Sequence, residues 1–230
     1  MITICCHEHI KIIGETQKVW SDWLLAIATL ILALATLYLL SEAKKQLKKV
    51  KEFIEKYTTF NQVQSAENII IKQIEFHYKL LERIEAIGKY TFKEMYNDFE
   101  GYYRIDTKEY NNIAEKIEGA YQKLYDSSGY LIGHYYRHLY RIFKNIDETK
   151  IFSDSDKNRY AKLVRAQLSE YEILLLFYNC IWIANDDESK FKNLVETYEL
   201  LKGINESKIS NLDALHFSLY SSTAFGGHGN

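Results

Sequence analysis

The stretch Gly133-His-Tyr-Tyr-Arg-His-Leu-Tyr-Arg141 decides how the rest of this chain is read. At the helical period, His134, Arg137, His138 and Arg141 share one side, while Tyr135, Tyr136, Leu139, Tyr140, Ile142 and Phe143 fill most of the other. A helix with this pattern buries its aromatic side against a core and turns a concentrated positive stripe outward or toward a polar partner.

Downstream, Tyr160 to Ala184 reads as one helix, apolar from Ile173 onward apart from Asn179. That apolar run is too short to span a bilayer and fits the buried central helix of a folded domain. Arg165, Ser169, Glu172 and Asn179 form a narrow polar seam along it at i, i+4, i+7 and i+14. A buried carboxylate is costly unless paired. The expected partner of Glu172 is therefore the cationic stripe at 134–141.

The 230 residues leave room for one folded domain and a membrane segment. The formal net charge of −2 excludes a protein that is basic overall and wraps nucleic acid. Proline is absent, which favours uninterrupted helices. The 19 tyrosines and 11 phenylalanines predict cores and contact faces built from large rings. Cys5, Cys6 and Cys180 make no disulfide framework. Cys180, inside the buried helix, reads as a small apolar filler. Cys5-Cys6-His7-Glu8-His9 offers soft ligands in close order but no second ligand pair, so no metal site and no cofactor is assigned.

Trp23 to Leu40 is eighteen residues without a charge, flanked by Trp20, Trp23 and Tyr38 as interfacial anchors. Lys44, Lys45, Lys48, Lys49 and Lys51 follow it, against Lys11 and Lys18 before it. The expected arrangement is a single pass through a membrane, with the bulk of the chain cytoplasmic. Ala43, Leu47, Val50, Ile54 and Tyr57 then alternate in steps of four and three, a short coiled-coil-like stripe on a polar helix.

Further helices are expected over 64–87, with Ile70, Ile74, His77, Leu81 and Ile84 on one face and a turn at Gly88-Lys89, and over 89–103. Another is expected over 107–126, closing at Ser127-Ser128-Gly129 before the motif helix, and one over 190–202, ending at Gly203. His77 reads as a hydrogen-bonded core histidine. Ser153, Asp154 or Ser155 is expected to cap the long helix. The predicted class is all-α, an N-terminal transmembrane helix followed by a cytosolic helical bundle. The expected divisions are an N-terminal segment 1–19, the membrane helix 20–41, a charged stalk 42–62, the helical domain 63–206 and a tail 207–230.

"GHYYRHLYRIFKNID" at 133–147 and "YAKLVRAQLSEYEILLLFYNC" at 160–180 resemble the signature of the AbiC-like phage abortive infection family. The resemblance extends to "KQIEFHYKLLERIEAIGKYTFKEMYNDFEGYY" at 72–103 and loosely through "KFKNLVETYELLKGI" at 190–204, covering about residues 20 to 205. It implies a bacterial antiphage protein with an N-terminal membrane region, a charged helix and a helical cytosolic domain. Such a protein would sense infection and contribute to growth arrest or cell death. Two departures stand out: room for one hydrophobic span where relatives often have two, and no counterpart for the chain after Asn205. The resemblance implies a biological role and no reaction.

Three readings of the polar residues stay open. His134, Arg137, His138, Arg141, Arg165, Ser169, Glu172 and Asn179 would form a structural polar core, an anion pocket, or a catalytic site acting on nucleic acid or a nucleotide. The Arg-to-His spacing of HEPN ribonucleases is absent, as are the P-loop, Gly-x-Ser-x-Gly, HExxH and Gly-x-Gly-x-x-Gly patterns. Enzymatic activity therefore has no motif behind it. Expected partners are the membrane, a second copy of the chain, and a co-encoded defence protein or phage-derived trigger. A scaffold role for such a co-encoded protein is the blandest alternative.

Overall fold

The computed structural model describes residues 2–86, 91–183, 189–210 and 213–227, with side chains described from residue 17 onward except those of residues 189 and 210. Among the described residues all regular structure is helical, as the sequence predicts. The helices are α1 (Ile2–Ala86), α2 (Phe92–Ile105), α3 (Ile113–Glu148), α4 (Asp154–Arg165), α5 (Glu170–Trp182), α6 (Ser189–Thr197) and α7 (Glu206–Ser210), followed by 3-10 turns at Ala214–Leu219 and Ser222–Phe225. The chain divides inside α1 into two compact units, Met1–Asn61 and Gln62–Asn230.

In the first unit, Trp23 to Leu40 is helical and exposed on every side. The helix is long and apolar enough to cross a membrane. Its two hydroxyls are satisfied internally: Thr29 Oγ1 donates to the Ala26 carbonyl and Thr36 Oγ1 to the Ala33 carbonyl, both at 2.8 Å. Back-bonding of this kind lets threonine sit in an apolar environment without an orphaned donor. The stripe Leu47, Val50, Ile54 and Tyr57 is also exposed, and Phe53 stacks on Tyr57. The side chains of Cys5, Cys6, His7, Glu8 and His9 lie outside the described residues.

In the second unit α3 runs through the middle, packed against α2, α4, α5 and α6. The amphipathic pattern of α2 drives its packing: Phe92, Met95, Tyr96, Phe99 and Tyr103 are buried, and a capping box between Thr91 and Glu94 satisfies its first amides. α5 is buried continuously from Glu172 to Ile181. A helix apolar on all sides needs neighbours on all sides, and α2, α3 and α6 supply them. The 62–86 part of α1 is held by Ile70 and Ile84, both buried, and by a polar tie to α4. In that tie the Tyr160 hydroxyl donates to Glu67 Oε1, with Arg159 Nη2 3.3 Å from the same oxygen.

Four boundaries differ from the sequence expectation. The helix predicted over Tyr160–Ala184 is two helices. α4 ends at Arg165, and Ser169 opens α5 with a capping box to Glu172, so the supposed polar seam spans a turn and does not exist as a seam. Conversely, Ser127-Ser128-Gly129 does not end a helix, because α3 runs unbroken from Ile113 to Glu148. The Ser127 hydroxyl bonds the Leu124 carbonyl, and the glycines make room for the Tyr125 ring. A Cβ at Gly129 would stand 2.9 Å from that ring, and one at Gly133 2.9 Å from its hydroxyl. α6 ends at Thr197, earlier than expected, where Glu199 adopts a left-handed conformation (φ 53°) and Gly203 another (φ 84°).

The stretch read as a tail from 207 is the fourth. Its described part is folded into the bundle, with Ile209, His216, Tyr220 and Ala224 buried. The Tyr220 hydroxyl donates to the Phe177 carbonyl at 2.6 Å, and Tyr96 donates to the Lys208 carbonyl at 3.2 Å. His216 sits between the hydroxyls of Tyr178 (3.1 Å) and Tyr103 (3.0 Å), and burial lowers its pKa to about 4. Single aromatic anchors on short turns carry no periodicity, which is why the pattern fades there. The Gly88-Lys89 turn, Ala184 and residues 228–230 lie outside the described residues. Ser153 caps α4 as expected, in a capping box with Asp156.

Candidate functional site

Glu172 is 2 % exposed and makes no ion pair among the described residues. Its Oε2 accepts from the backbone amide of Ser169 at 2.6 Å, and the Ser169 hydroxyl accepts in return from the Glu172 amide. Its Oε1 accepts from the Tyr135 hydroxyl, and the Tyr136 hydroxyl donates to its backbone carbonyl at 2.9 Å. Position at the first turn of α5 adds the favourable end of the helix dipole. Both carboxylate oxygens are thus satisfied by neutral donors, and the expected pairing with the cationic stripe is corrected. Burial, and then Glu172 itself, pushes the Tyr135 hydroxyl well above its ordinary pKa, which keeps it a donor.

The other residues of the supposed seam disperse. Asn179 Nδ2 donates to the Tyr121 hydroxyl at 3.1 Å, inside the core. Arg165 Nη1 donates to the Glu199 carbonyl at 2.9 Å and lies 3.5 Å from its Oε2, bracing the left-handed turn after α6. Ser169 is a cap.

His134, Arg137, His138 and Arg141 stay together and open outward. They line one wall of a cleft of about 690 Å³, with Tyr130, Leu131 and Tyr135 also from α3. The facing wall is the 62–86 part of α1, contributing Phe76, Leu80, Arg83 and Ile84. No carboxylate among the described residues lines the cleft. Among the described residues, Arg83, Arg137 and Arg141 make no ion pair. Arg137 Nε donates to the Gly133 carbonyl at 2.9 Å, which anchors the guanidinium at its base and leaves its terminal nitrogens without a bond to the described residues.

His138 joins the two walls. Its Nε2 lies 2.9 Å from the Gln73 carbonyl, and its ring meets Phe76 edge-on with centroids 4.9 Å apart. Beside it, His77 is buried against the Tyr135 ring at 4.3 Å and the His138 ring at 5.8 Å. The sequence expectation that His77 is a core residue holds, but the expected hydrogen bond is missing: neither ring nitrogen has a partner, nor does Gln73 Oε1. Burial, with His138 adding to it, lowers the His77 pKa to about 4. Tyr135 is the shared boundary, its ring facing the cleft and its hydroxyl sealed on Glu172.

Sequence reasoning missed the α1 wall. Arg83, at the edge of the stripe Ile70-Ile74-His77-Leu81-Ile84, was the available signal, but only the fold shows that it faces Arg137 and Arg141 across one cleft. Among the described residues no group of three or more His, Cys, Asp or Glu is arranged to hold a metal ion.

Among the described residues, fold and site together define an all-helical protein with one helix long and apolar enough to cross a membrane and a cationic cleft. Residues 127–209 match the model of the family described as "Putative phage abortive infection protein", and over that segment the resemblance read from the sequence is shown. The match includes the α3 wall of the cleft, the Glu172 network, Asn179 and Arg165, and leaves out the α1 wall. No curated protein and no solved structure matches the chain.

Proposed function

We propose that this chain is an antiphage defence protein of the bacterial inner membrane that acts by abortive infection. Its helical unit from Gln62 onward senses infection and the apolar helix around Trp23–Leu40 anchors it. The family match over residues 127–209 carries this reading. The lysines at 44, 45, 48, 49 and 51 just after the apolar run support a cytoplasmic placement of the helical unit. Ala26, Thr29, Ala33, Thr36 and Leu40 continue the four-three spacing of Ala43, Leu47, Val50, Ile54 and Tyr57 toward the N-terminus. Small residues in a membrane helix and apolar ones beyond it, in a single register, support self-association of α1 as the route to membrane damage and growth arrest.

The reading is tested by expressing the full chain in a bacterium and challenging it with phage. Protection at low phage input, with loss of viability or growth arrest before the burst at high input, is the expected result. Plating efficiency equal to the empty-vector control sinks it. Recovery of the full chain in the soluble fraction sinks the membrane part, and a membrane potential that stays intact during arrest sinks the route through bilayer damage.

Catalysis on a nucleotide or nucleic acid is the second reading, favoured by two histidines and three arginines in one cleft. A His134→Ala, His138→Ala double variant that folds and keeps full protection ends it.

A further inference from the structure

The cleft between α1 and α3 joins two features that a single ligand class combines. One is an excess of fixed positive charge from three arginines, set beside two histidines, with no carboxylate among the described lining residues. The other is an apolar and aromatic surface interleaved with it, formed by Phe76, Leu80, Ile84, Tyr130 and Leu131. Tyr130 and Phe76 are large rings left 65 % and 47 % exposed, whereas the core rings of this unit are sealed. We infer that the cleft is a receptor site for a nucleoside carrying two or more phosphates, with the phosphates on Arg83, Arg137 and Arg141 and the base stacked on Tyr130 or Phe76. This rests on the sensing role proposed above and gives the trigger a chemical class.

Guanidinium groups bind phosphate through parallel N–H donors, so arginines without a carboxylate partner are the donors such a ligand needs. The Nε bond of Arg137 to the Gly133 carbonyl holds that group in place before a ligand arrives. Every base has a π-face that an exposed aromatic ring accepts. Size also points to a small molecule, because about 690 Å³ falls within the range of small-ligand pockets. Along α3 the lining runs from Tyr130 to Arg141, about 16 Å at the helical rise, the scale of one extended nucleoside polyphosphate. The acidic balance of the whole chain argues against a polymeric nucleic acid as the occupant.

A separate observation lies beside His138, where the two walls meet. His77, 6 % exposed, has two ring nitrogens without a partner, and Gln73 Oε1 next to it is unpaired as well. Native proteins leave few buried polar atoms unsatisfied. Here they stand beside a hydrogen bond, from His138 to the Gln73 carbonyl, that ties the α3 wall to the α1 wall.

The test uses the full chain in detergent with methylanthraniloyl-ATP and methylanthraniloyl-GTP as fluorescent probes. Inorganic tripolyphosphate, unphosphorylated adenosine and guanosine, and a short single-stranded RNA serve as competitors. Saturable binding of at least one probe, displaced by tripolyphosphate but not by the nucleosides, is expected. The Arg137→Ala, Arg141→Ala variant, with helicity unchanged by circular dichroism, should bind roughly 100-fold more weakly, as two charge-assisted contacts are lost. Tyr130→Ala with Phe76→Ala should weaken the probes roughly tenfold while leaving tripolyphosphate unaffected. Four outcomes overturn the inference: no saturable binding of either probe, binding indifferent to the two arginines, tripolyphosphate bound as tightly as the nucleotides, or RNA bound far more tightly than both. The phage challenge separates the two proposals. Protection without nucleotide binding removes this inference alone, and nucleotide binding without protection removes the defence role alone.

Discussion

Tyr135 bonds Glu172 through its hydroxyl and lines the same cleft as Arg137, and the protein treats these two neighbours in opposite ways. Glu172 is sealed, with each carboxylate oxygen answered by a neutral donor from its own helix end or from Tyr135. Arg137, with Arg83 and Arg141, is left facing an open cleft with no carboxylate among its described lining residues. A buried charge must be satisfied inside the fold or the chain does not fold, whereas charges at a cleft cost little while water solvates them. The sealed group therefore belongs to stability and the open groups are available for recognition. One tyrosine separates the two functions.

That contrast can be broken from its sealed side first. Glu172→Ala should cost about 3 kcal/mol in denaturant unfolding, since it strands the buried Tyr135 hydroxyl and removes one half of the α5 capping box. A loss no larger than that of an ordinary surface substitution would mean that the network is dispensable. Next comes acid sensitivity. Unfolded histidine titrates near pH 6.5, and folded His77 only at about 4. Between these values the unfolded chain binds the extra proton, so stability falls as pH drops through that window and the loss is complete below about 4. His77→Leu should remove about 2.4 kcal/mol of that acid-induced loss, measured as unfolding stability at pH 7 against pH 4.5, and should cost little at pH 7. An unchanged pH dependence would refute the burial of a neutral His77.

A smaller effect is expected at the boundary residue. Tyr135→Phe keeps the ring against Phe92 and His77 but withdraws the donor from Glu172, for about 1 to 2 kcal/mol. The open side should show the least: Arg137→Ala with Arg141→Ala is expected to change stability by no more than about 0.5 kcal/mol while abolishing phage protection. A large stability loss in that variant would place the arginines with Glu172 after all.

Two short segments show why some of this was legible and some was not. Ser127-Ser128-Gly129 has the composition of a helix break and lies mid-helix, because Tyr125 fills the space that the glycines leave. Gln167-Leu168-Ser169 has the look of continuous helix and contains a break. There the signal was in the sequence, since Ser169-x-x-Glu172 ahead of an apolar run is the pattern of a capping box. Reading Glu172 as a mid-helix charge in search of a cation hid its role as the residue that closes the cap.

The amino-acid sequence alone determined the all-helical class, the apolar run at 23–40, the buried character of α5 and the cationic face of α3. Each of these follows from the periodicity and composition of a single helix, and local physics suffices for them. Only the tertiary structure decided that Glu172 is satisfied by tyrosine and backbone, that Ile209, His216, Tyr220 and Ala224 belong to the core, and that Arg83 lines one cleft with Arg137 and Arg141. These depend on which helices meet and at what register, and partners distant in sequence leave no local pattern by which to find one another.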